Sequence, residues 1–515
     1  MTGADPQTSW LSTLRAFTHP RVVTLLFLGF SAGIPILLIF SSLSLWLREA
    51  GVERAAVTYF SWAALGYSFK FVWAPLVDQI PLPWLSRLIG QRRSWILVSQ
   101  LAIIVAILLM ASINPQAGDY SLTLMALAVV MLGFSSATQD IVIDAYRIES
   151  AEADLQALMS ATYIAGYRIG MVVAGAGSLY LATSFGSTRG AYEYQAWQYT
   201  YAIMAAVMLV GIVTTLIIKE PENKNATVYK SSLSENVRFL LLFLIMVIGF
   251  VGSFYLTGDI TRSMKSTLAE MINNRHLSGF LIGSLRLALA IGIAATLALV
   301  LVKIEFVRYV AVNNSYLMPV KDFFRRYGLS LAWIVLALIG LYRISDIVLG
   351  AISNVFYQDM GFTKLEIAAA SKTYGLLMTI AGGFAGGLLA VRFGVMRILF
   401  VGALLSAVTN LLFMLLVSVG PDITWLYIVI SADNLSGGLA IAAFIAFLSS
   451  LTNISFTATQ YAIFSSLMTL VPKSIGGFSG SIVDAIGYPA FFLATALMGI
   501  PVLFLIIYAS RRYRW

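Results

Sequence analysis

Apolar residues run in long stretches that Gly, Pro and charged clusters close. About 20 such residues cross a bilayer as a helix, and fourteen stretches of that kind follow one another. They are Val22–Leu47, Ala56–Val77, Trp95–Ile113, Leu122–Tyr146, Leu158–Ser184, Trp197–Ile218, Phe239–Leu256, Leu277–Val302, Leu329–Phe356, Ile367–Val391, Val395–Val417, Trp425–Leu451, Thr457–Val483 and Pro489–Tyr508. The first is far longer than a signal-peptide core and lacks a small-residue cleavage site, so it reads as a retained helix.

Composition agrees. Of 515 residues, 59% are hydrophobic and 11% charged, against about 45–50% and 25% in soluble proteins. No soluble core buries that much apolar surface, which removes soluble enzymes, disordered scaffolds and nucleic-acid modules from consideration. The net charge of +9 is spread over short loops. One set of alternate loops holds 20 Lys and Arg and the other 7, so the positive-inside rule places both termini in the cytoplasm.

The loop after the second run reads Ala74-Pro-Leu-Val-Asp78 and then Gly90-Gln-Arg92-Arg93; the loop after the tenth reads Gly387-Leu-Leu-Ala-Val391-Arg392-Phe393-Gly394-Val-Met-Arg397. Both resemble the signature G-x-x-x-D-R-x-G-R-R of the major facilitator superfamily, at the turn that superfamily uses in each half. The first copy departs by Ala74 and an insertion, the second by Val391 in place of Asp. Such transporters are built from a parallel repeat related by an axis along the membrane normal. The expected fold is therefore all-α and integral to the membrane, with a six-helix bundle over 1–218, a linker with two inserted transmembrane helices over 219–328, and a second six-helix bundle over 329–515.

Ionisable residues inside the spans are the informative minority, since each costs about 2.5–3.5 kcal/mol at mid-bilayer on insertion scales. Lys70 sits in the second run. Gln139, Asp140, Asp144 and Arg147 sit in the fourth, the three charges spaced by four and three and so on one face. Two carboxylates one turn apart resist simultaneous ionisation, which makes Asp140 and Asp144 proton-carrier candidates; the alternative is a structural cluster of Asp144, Arg147 and Glu149 at the helix end. Arg343 and Asp346 are spaced to neutralise each other. Lys70, Arg168 and Lys372 lack an opposite charge at helical spacing, and either pair with Asp140, Asp346 or Asp433 on other helices or face an anionic ligand, the use favoured here. Asp433 reads as a proton site or a hydrogen-bonding platform. Tyr67, Tyr163, Tyr167 and Tyr374 lie beside these polar residues, suiting a sugar-bearing ligand, although interfacial belts account for most membrane aromatics.

The chain has no Cys and only His19 and His276, which excludes disulfides and thiolate chemistry and leaves no expected metal site or cofactor. The nucleotide-binding pattern G-x-x-x-x-G-K-[ST] is absent, so energy would come from an ion gradient.

Several segments resemble the AmpG-type muropeptide permeases, a branch of the same superfamily: Leu28-Gly-Phe-Ser-Ala-Gly-Ile-Pro35, Phe69 to Asp78, Arg92-Arg93-Ser-Trp95, Ser136-Ala-Thr-Gln139-Asp140-Ile-Val-Ile-Asp144, Gly166-Tyr-Arg168-Ile-Gly170, Lys372-Thr-Tyr-Gly375 and Phe456-Thr-Ala-Thr-Gln460. The resemblance implies an inner-membrane, proton-driven importer of N-acetylglucosaminyl-1,6-anhydro-N-acetylmuramyl peptides, serving cell-wall recycling and β-lactamase induction. It implies a small glycopeptide substrate, a lipid environment, and a monomer. By chemistry and family position, Lys70, Tyr67, Gln139, Tyr167, Arg168, Lys372, Asn434 and Gln460 would hold the substrate. Asp140, Asp144, Asp346 and Asp433 would carry protons, and Asp78, Arg92, Arg93, Arg147, Arg343 and Arg392 would govern conformation. The other readings are a carrier of another anion such as acyl-CoA, a lipid flippase or scramblase, and an intramembrane enzyme using Asp140 and Asp144. The enzyme ranks low, because that pair stands on one helix and does not face across a site.

Overall fold

The computed structural model describes residues 16–52, 69–150, 153–188, 191–221, 233–272, 275–476 and 479–512. Among them the fold is helical throughout, apart from an isolated bridge between Thr188 and Ala191. Twelve helices among the described residues are long and apolar enough to cross a membrane. The expected count of fourteen is not reached. The second expected run lies largely outside the described residues, and the seventh holds an apolar stretch, Val237–Ser253, shorter than a full span.

The first half contributes α1 (Pro20–Glu49), α2 (Gln91–Ala111), α3 (Asp119–Ser150), α4 (Leu155–Ser184) and α5 (Tyr194–Ile217). Next come α6 (Leu233–Leu256), α7 (Gly258–Ile272) and α8 (Arg275–Lys303). The second half contributes α9 (Met318–Leu341), α10 (Ile344–Gly350), α11 (Ala369–Phe393), α12 (Val395–Val419), α13 (Ile423–Leu451), α14 (Thr457–Gly476) and α15 (Ser479–Arg512). Three of these helices contain a π-helical turn, at Leu38–Ser42 in α1, Val173–Gly177 in α4 and Ala368–Tyr374 at the start of α11.

Two compact units result, one from the stretches 1–77, 81–226 and 327–515, the other from 78–80 and 227–326. In the smaller unit α8 packs against both α6 and α7. Ser278 donates to the Lys265 carbonyl at 2.6 Å, Arg286 to the Thr257 hydroxyl at 3.2 Å, and Arg308 pairs with Glu235.

In the larger unit small residues bring backbones into contact, as expected where lipid supplies no hydrophobic drive between helices. A Cβ built on Gly29 of α1 would lie 2.2 Å from the Tyr163 carbonyl oxygen of α4, and one on Gly166 of α4 1.9 Å from that of Leu26. The same device joins α11 to α13, where Gly382 meets Leu435 and Gly438 meets Thr379, each at 2.1 Å. The repeated loop motif also has a repeated backbone. Gly90 (φ 93°, ψ 163°) precedes α2 and Gly394 (φ 88°, ψ 146°) precedes α12. That left-handed region is one that only glycine enters without strain.

Candidate functional site

Lys70 opens the short 3-10 turn Lys70–Val72, which Trp73 anchors to α3 by donating to the Thr138 hydroxyl at 3.0 Å. The turn directs Lys70 to Asp144, 3.7 Å away. Lys70 thus finds a carboxylate on another helix, though not one of the three expected. Asp144 also accepts from Arg147 at 3.3 Å, the pairing their spacing predicts. One turn earlier, Asp140 accepts from the Tyr163 hydroxyl at 3.4 Å and lies within reach of the charges on Lys70 and Asp144. All four charged side chains are buried.

Arg147, fully buried, extends this cluster into the other half. Its Nη1 donates to Ser449 of α13 at 2.7 Å, to Ser160 of α4 at 3.1 Å and to Gln156 at 3.3 Å, and its guanidinium stands 5.2 Å from the Tyr461 ring of α14. Gln156 in turn donates to the carbonyls of Arg147 and Ile148, closing the end of α3. At the same end of the bundle, Gly387 of α11 sits so close to α4 that a Cβ there would be 2.9 Å from the Ala161 Cβ and 3.1 Å from the Ala157 carbonyl. Phe17 and Phe384 meet edge to face at 5.3 Å. The two halves are therefore joined at the end that carries the Arg-rich loops.

Those loops form a second network at this end. Arg92 binds Glu149 through two nitrogens, at 2.6 and 3.0 Å, and the Val77 carbonyl at 3.2 Å. Glu220 accepts from the backbone N–H groups of Arg92 and Arg93, at 2.8 and 3.0 Å, occupying the positive N-terminus of α2. Burial pushes the Glu220 carboxyl above its ordinary value, against the opposing pull of those two bonds and of Arg92. Arg93 caps the end of α5 by donating to the carbonyls of Thr215 and Leu216. Asp78 lies in the short helix Ala74–Gln79, and the Arg392 guanidinium is 5.8 Å from the ring of its neighbour Phe393.

A second charged cluster belongs mostly to the second half. Arg343 precedes α10 and holds Asp346 through Nε at 3.1 Å and through Nη2, the pairing expected from spacing. Asp433 of α13 lies in the field of Asp346, and Lys473 of α14 in that of Arg343. Arg168 of α4 reaches this cluster from the first half, within range of the charges on Arg343 and Asp346. The ring of its neighbour Tyr167 is 6.2 Å from that of Tyr163.

The three amides make hydrogen bonds inside the protein. Gln139 donates to Ser31 at 2.8 Å, Asn434 donates to the Ile430 carbonyl and accepts from Thr379, each at 2.9 Å, and Gln460 accepts from the Asn453 backbone at 2.8 Å. Lys372 falls in the π-helical turn of α11, its side chain outside the described residues, as is Tyr67 altogether. Ser449, Ser160, Gln156, Tyr461 and Glu220 are absent from the sequence-based selection. Short polar side chains and tyrosines carry no spacing signal, and the bond from Arg147 to Ser449 spans 302 positions.

The family model for the Major Facilitator Superfamily matches residues 25–342. The chain belongs to that superfamily. The superfamily is a class of transporters, so this protein is a multi-pass membrane transporter and not an enzyme. It is 29% identical over 498 residues to a putative transporter AmpG 4 of Rickettsia felis, covering 97% of this chain and 98% of the relative. It is 28% identical over 495 residues to the anhydromuropeptide permease of Escherichia coli K12, covering 96% and 80%. Among solved structures, the E. coli fucose:proton symporter FucP superposes with a TM-score of 0.59 at 13% identity, covering 98% of this chain and all of that one. The resemblance to AmpG-type permeases thus extends over 96–97% of this chain.

Proposed function

We propose that the protein is a proton-coupled carrier that imports anhydromuropeptides, N-acetylglucosaminyl-1,6-anhydro-N-acetylmuramic acid and its peptides, across the bacterial inner membrane. Both termini lie in the cytoplasm, and the imported fragments feed peptidoglycan recycling and β-lactamase induction. Support for the cargo comes from the E. coli relative named an anhydromuropeptide permease, which aligns across 96% of this chain.

The observation that carries the mechanism is the clasp of buried Arg147 on Ser449 and Tyr461. In the orientation given by loop charge, this clasp closes the cytoplasmic end, so cargo enters from the periplasm and must break the clasp to leave. The 1–218 and 329–515 bundles rock against each other around the charged clusters. Arg168 and Lys372 receive the carboxylates of the cargo. Lys70 serves it once released from Asp144. Protonation of Asp140, Asp346 or Asp433 biases the two openings, because a proton shifts such an equilibrium only through unequal affinity for the two states.

The test is uptake of labelled GlcNAc-1,6-anhydro-MurNAc into proteoliposomes with and without an inward proton gradient. Uptake that rises with the gradient, and that Arg168→Ala abolishes without loss of inserted protein, supports the reading. Uptake indifferent to the gradient removes proton coupling. No uptake by protein that binds no labelled disaccharide removes this cargo, and acyl-CoA then becomes the anion to try.

A further inference from the structure

Away from the charged clusters, four polar side chains meet inside the first-half helices. Ser31 of α1, Gln100 of α2, Gln139 of α3 and Thr215 of α5 are all fully buried. Gln139 Nε2 donates to Ser31 Oγ at 2.8 Å, Ser31 donates to the Leu28 carbonyl at 2.9 Å, and Thr215 donates to Gln100 Oε1 at 2.9 Å. That accounting leaves Gln100 Nε2, a donor, and Gln139 Oε1, an acceptor, both buried and without a hydrogen-bond partner. Thr215 Oγ1 also lies 2.9 Å from the Gly211 carbonyl, so Gln100 can present either its oxygen or its nitrogen to Thr215, and its other amide atom then faces the node.

The two glutamines are near neighbours. A Cβ built on Gly211 of α5 would lie 2.8 Å from Gln100 Nε2 and 2.9 Å from Ser31 Oγ, the atom that Gln139 touches. Buried amide atoms in proteins are almost always satisfied, and where no protein group serves, a water making about three hydrogen bonds does.

We propose that this node binds one water molecule, which accepts from Gln100 and donates to Gln139, and that the hydrated node fixes the roll of α3 about its own axis. Asp140 follows Gln139 and leaves the helix about 100° further round, so the roll set by Gln139 decides how Asp140 meets its surroundings. The groups that face Asp140 are Lys70, Asp144 on its own helix, Tyr163 and Tyr167 of α4, and Tyr461 of α14. Gln100 is then a positioning residue. It acts on Asp140 through the water and Gln139. This functional half rests on the proton-coupled reading, whereas the water itself does not.

Gln100→Met and Gln139→Met preserve side-chain length and remove the whole amide, so they also break the direct bonds to Thr215 and Ser31 respectively. In protein labelled with [15N]glutamine, solid-state NMR with polarisation drawn from water should show a side-chain amide signal that Gln100→Met deletes and that water feeds rapidly. An amide assigned to Gln100 that receives nothing from water overturns the site. In proteoliposomes, Gln100→Met should move the pH midpoint of uptake by about half a unit with the amount of inserted protein unchanged. A midpoint that stays in place overturns the positioning role. Should Gln100→Met fail to insert, Gln139→Met leaves the Gln100 amide signal in place, which should then lose its rapid feed from water, and should move the midpoint likewise; an unchanged feed or an unmoved midpoint overturns the site or the role respectively. A wild type whose uptake ignores pH overturns the proton reading and the role given to Asp140, while the NMR signal still decides the water.

Discussion

Arg147 Nη1 donates to Ser449 Oγ at 2.7 Å, across 302 positions of sequence and between helices of opposite halves. A hydrogen bond from a charged donor contributes roughly 1.5–3 kcal/mol. Ser449→Ala should therefore favour opening at this end by about tenfold to a hundredfold. Arg147→Ala strands Asp144 with Lys70 alone and should cut the uptake rate by about tenfold or more. Initial rates per inserted molecule check both, and a wild-type rate in Arg147→Ala would show that the clasp does not govern transport.

The absence of cysteine makes a covalent version of the same test direct. Cβ atoms at positions 161 and 387 would lie 2.9 Å apart, and relaxation by about an ångström gives the 3.5–4.5 Å typical of a disulfide. In the double variant Ala161→Cys/Gly387→Cys, oxidation should stop uptake and reduction should restore it. Full activity in the demonstrably cross-linked protein would mean that α4 and α11 need not separate.

Gly33 of α1 faces the Tyr167 carbonyl oxygen, where a Cβ would sit 2.0 Å away. Gly33→Ala forces the two backbones apart, at a cost of about 1–3 kcal/mol by analogy with overpacked cores. The shift also displaces Arg168, next in sequence to Tyr167. Thermal unfolding in detergent should move to lower temperature, and an unchanged transition would contradict the close approach.

Glu220 supplies a pH dependence whose sign is fixed. Burial raises its carboxyl above the ordinary 4.5, so the folded protein holds the proton more tightly than the unfolded chain. Its contribution to stability is complete below 4.5 and is lost as pH rises through the raised value. Glu220→Gln mimics the protonated form and should match wild type near pH 4, then gain on it as pH rises. Unfolding midpoints of the two proteins at several pH values provide the check, and a difference that does not vary with pH would refute it.

The apolar runs were legible because length and hydropathy suffice to mark a span, and the pairs Asp144–Arg147 and Arg343–Asp346 because helical spacing brings their side chains together. The duplicated Gly90 and Gly394 were legible as a repeat, and both adopt the same left-handed backbone. For Lys70 the sequence favours an anionic ligand, whereas the structure pairs it with Asp144, a carboxylate on a helix whose rotation no local pattern gives. Ser449 and Tyr461 were invisible for a stronger reason. Each is an ordinary membrane-helix residue until packing sets Arg147 against it.

The contact of α1 with α4 through Gly29, Gly33, Gly166 and Gly170 leaves no slack between the two helices. A tilt of one helix would therefore carry the other with it as a single bar. Near one end that bar carries Ala157 and Ala161, pressed on Gly387, and further along it carries Arg168, set among the charges of the other half. A push on Arg168 from the anionic cargo proposed above would then reach the seam at Gly387 along one helix, with no intervening loop to absorb it.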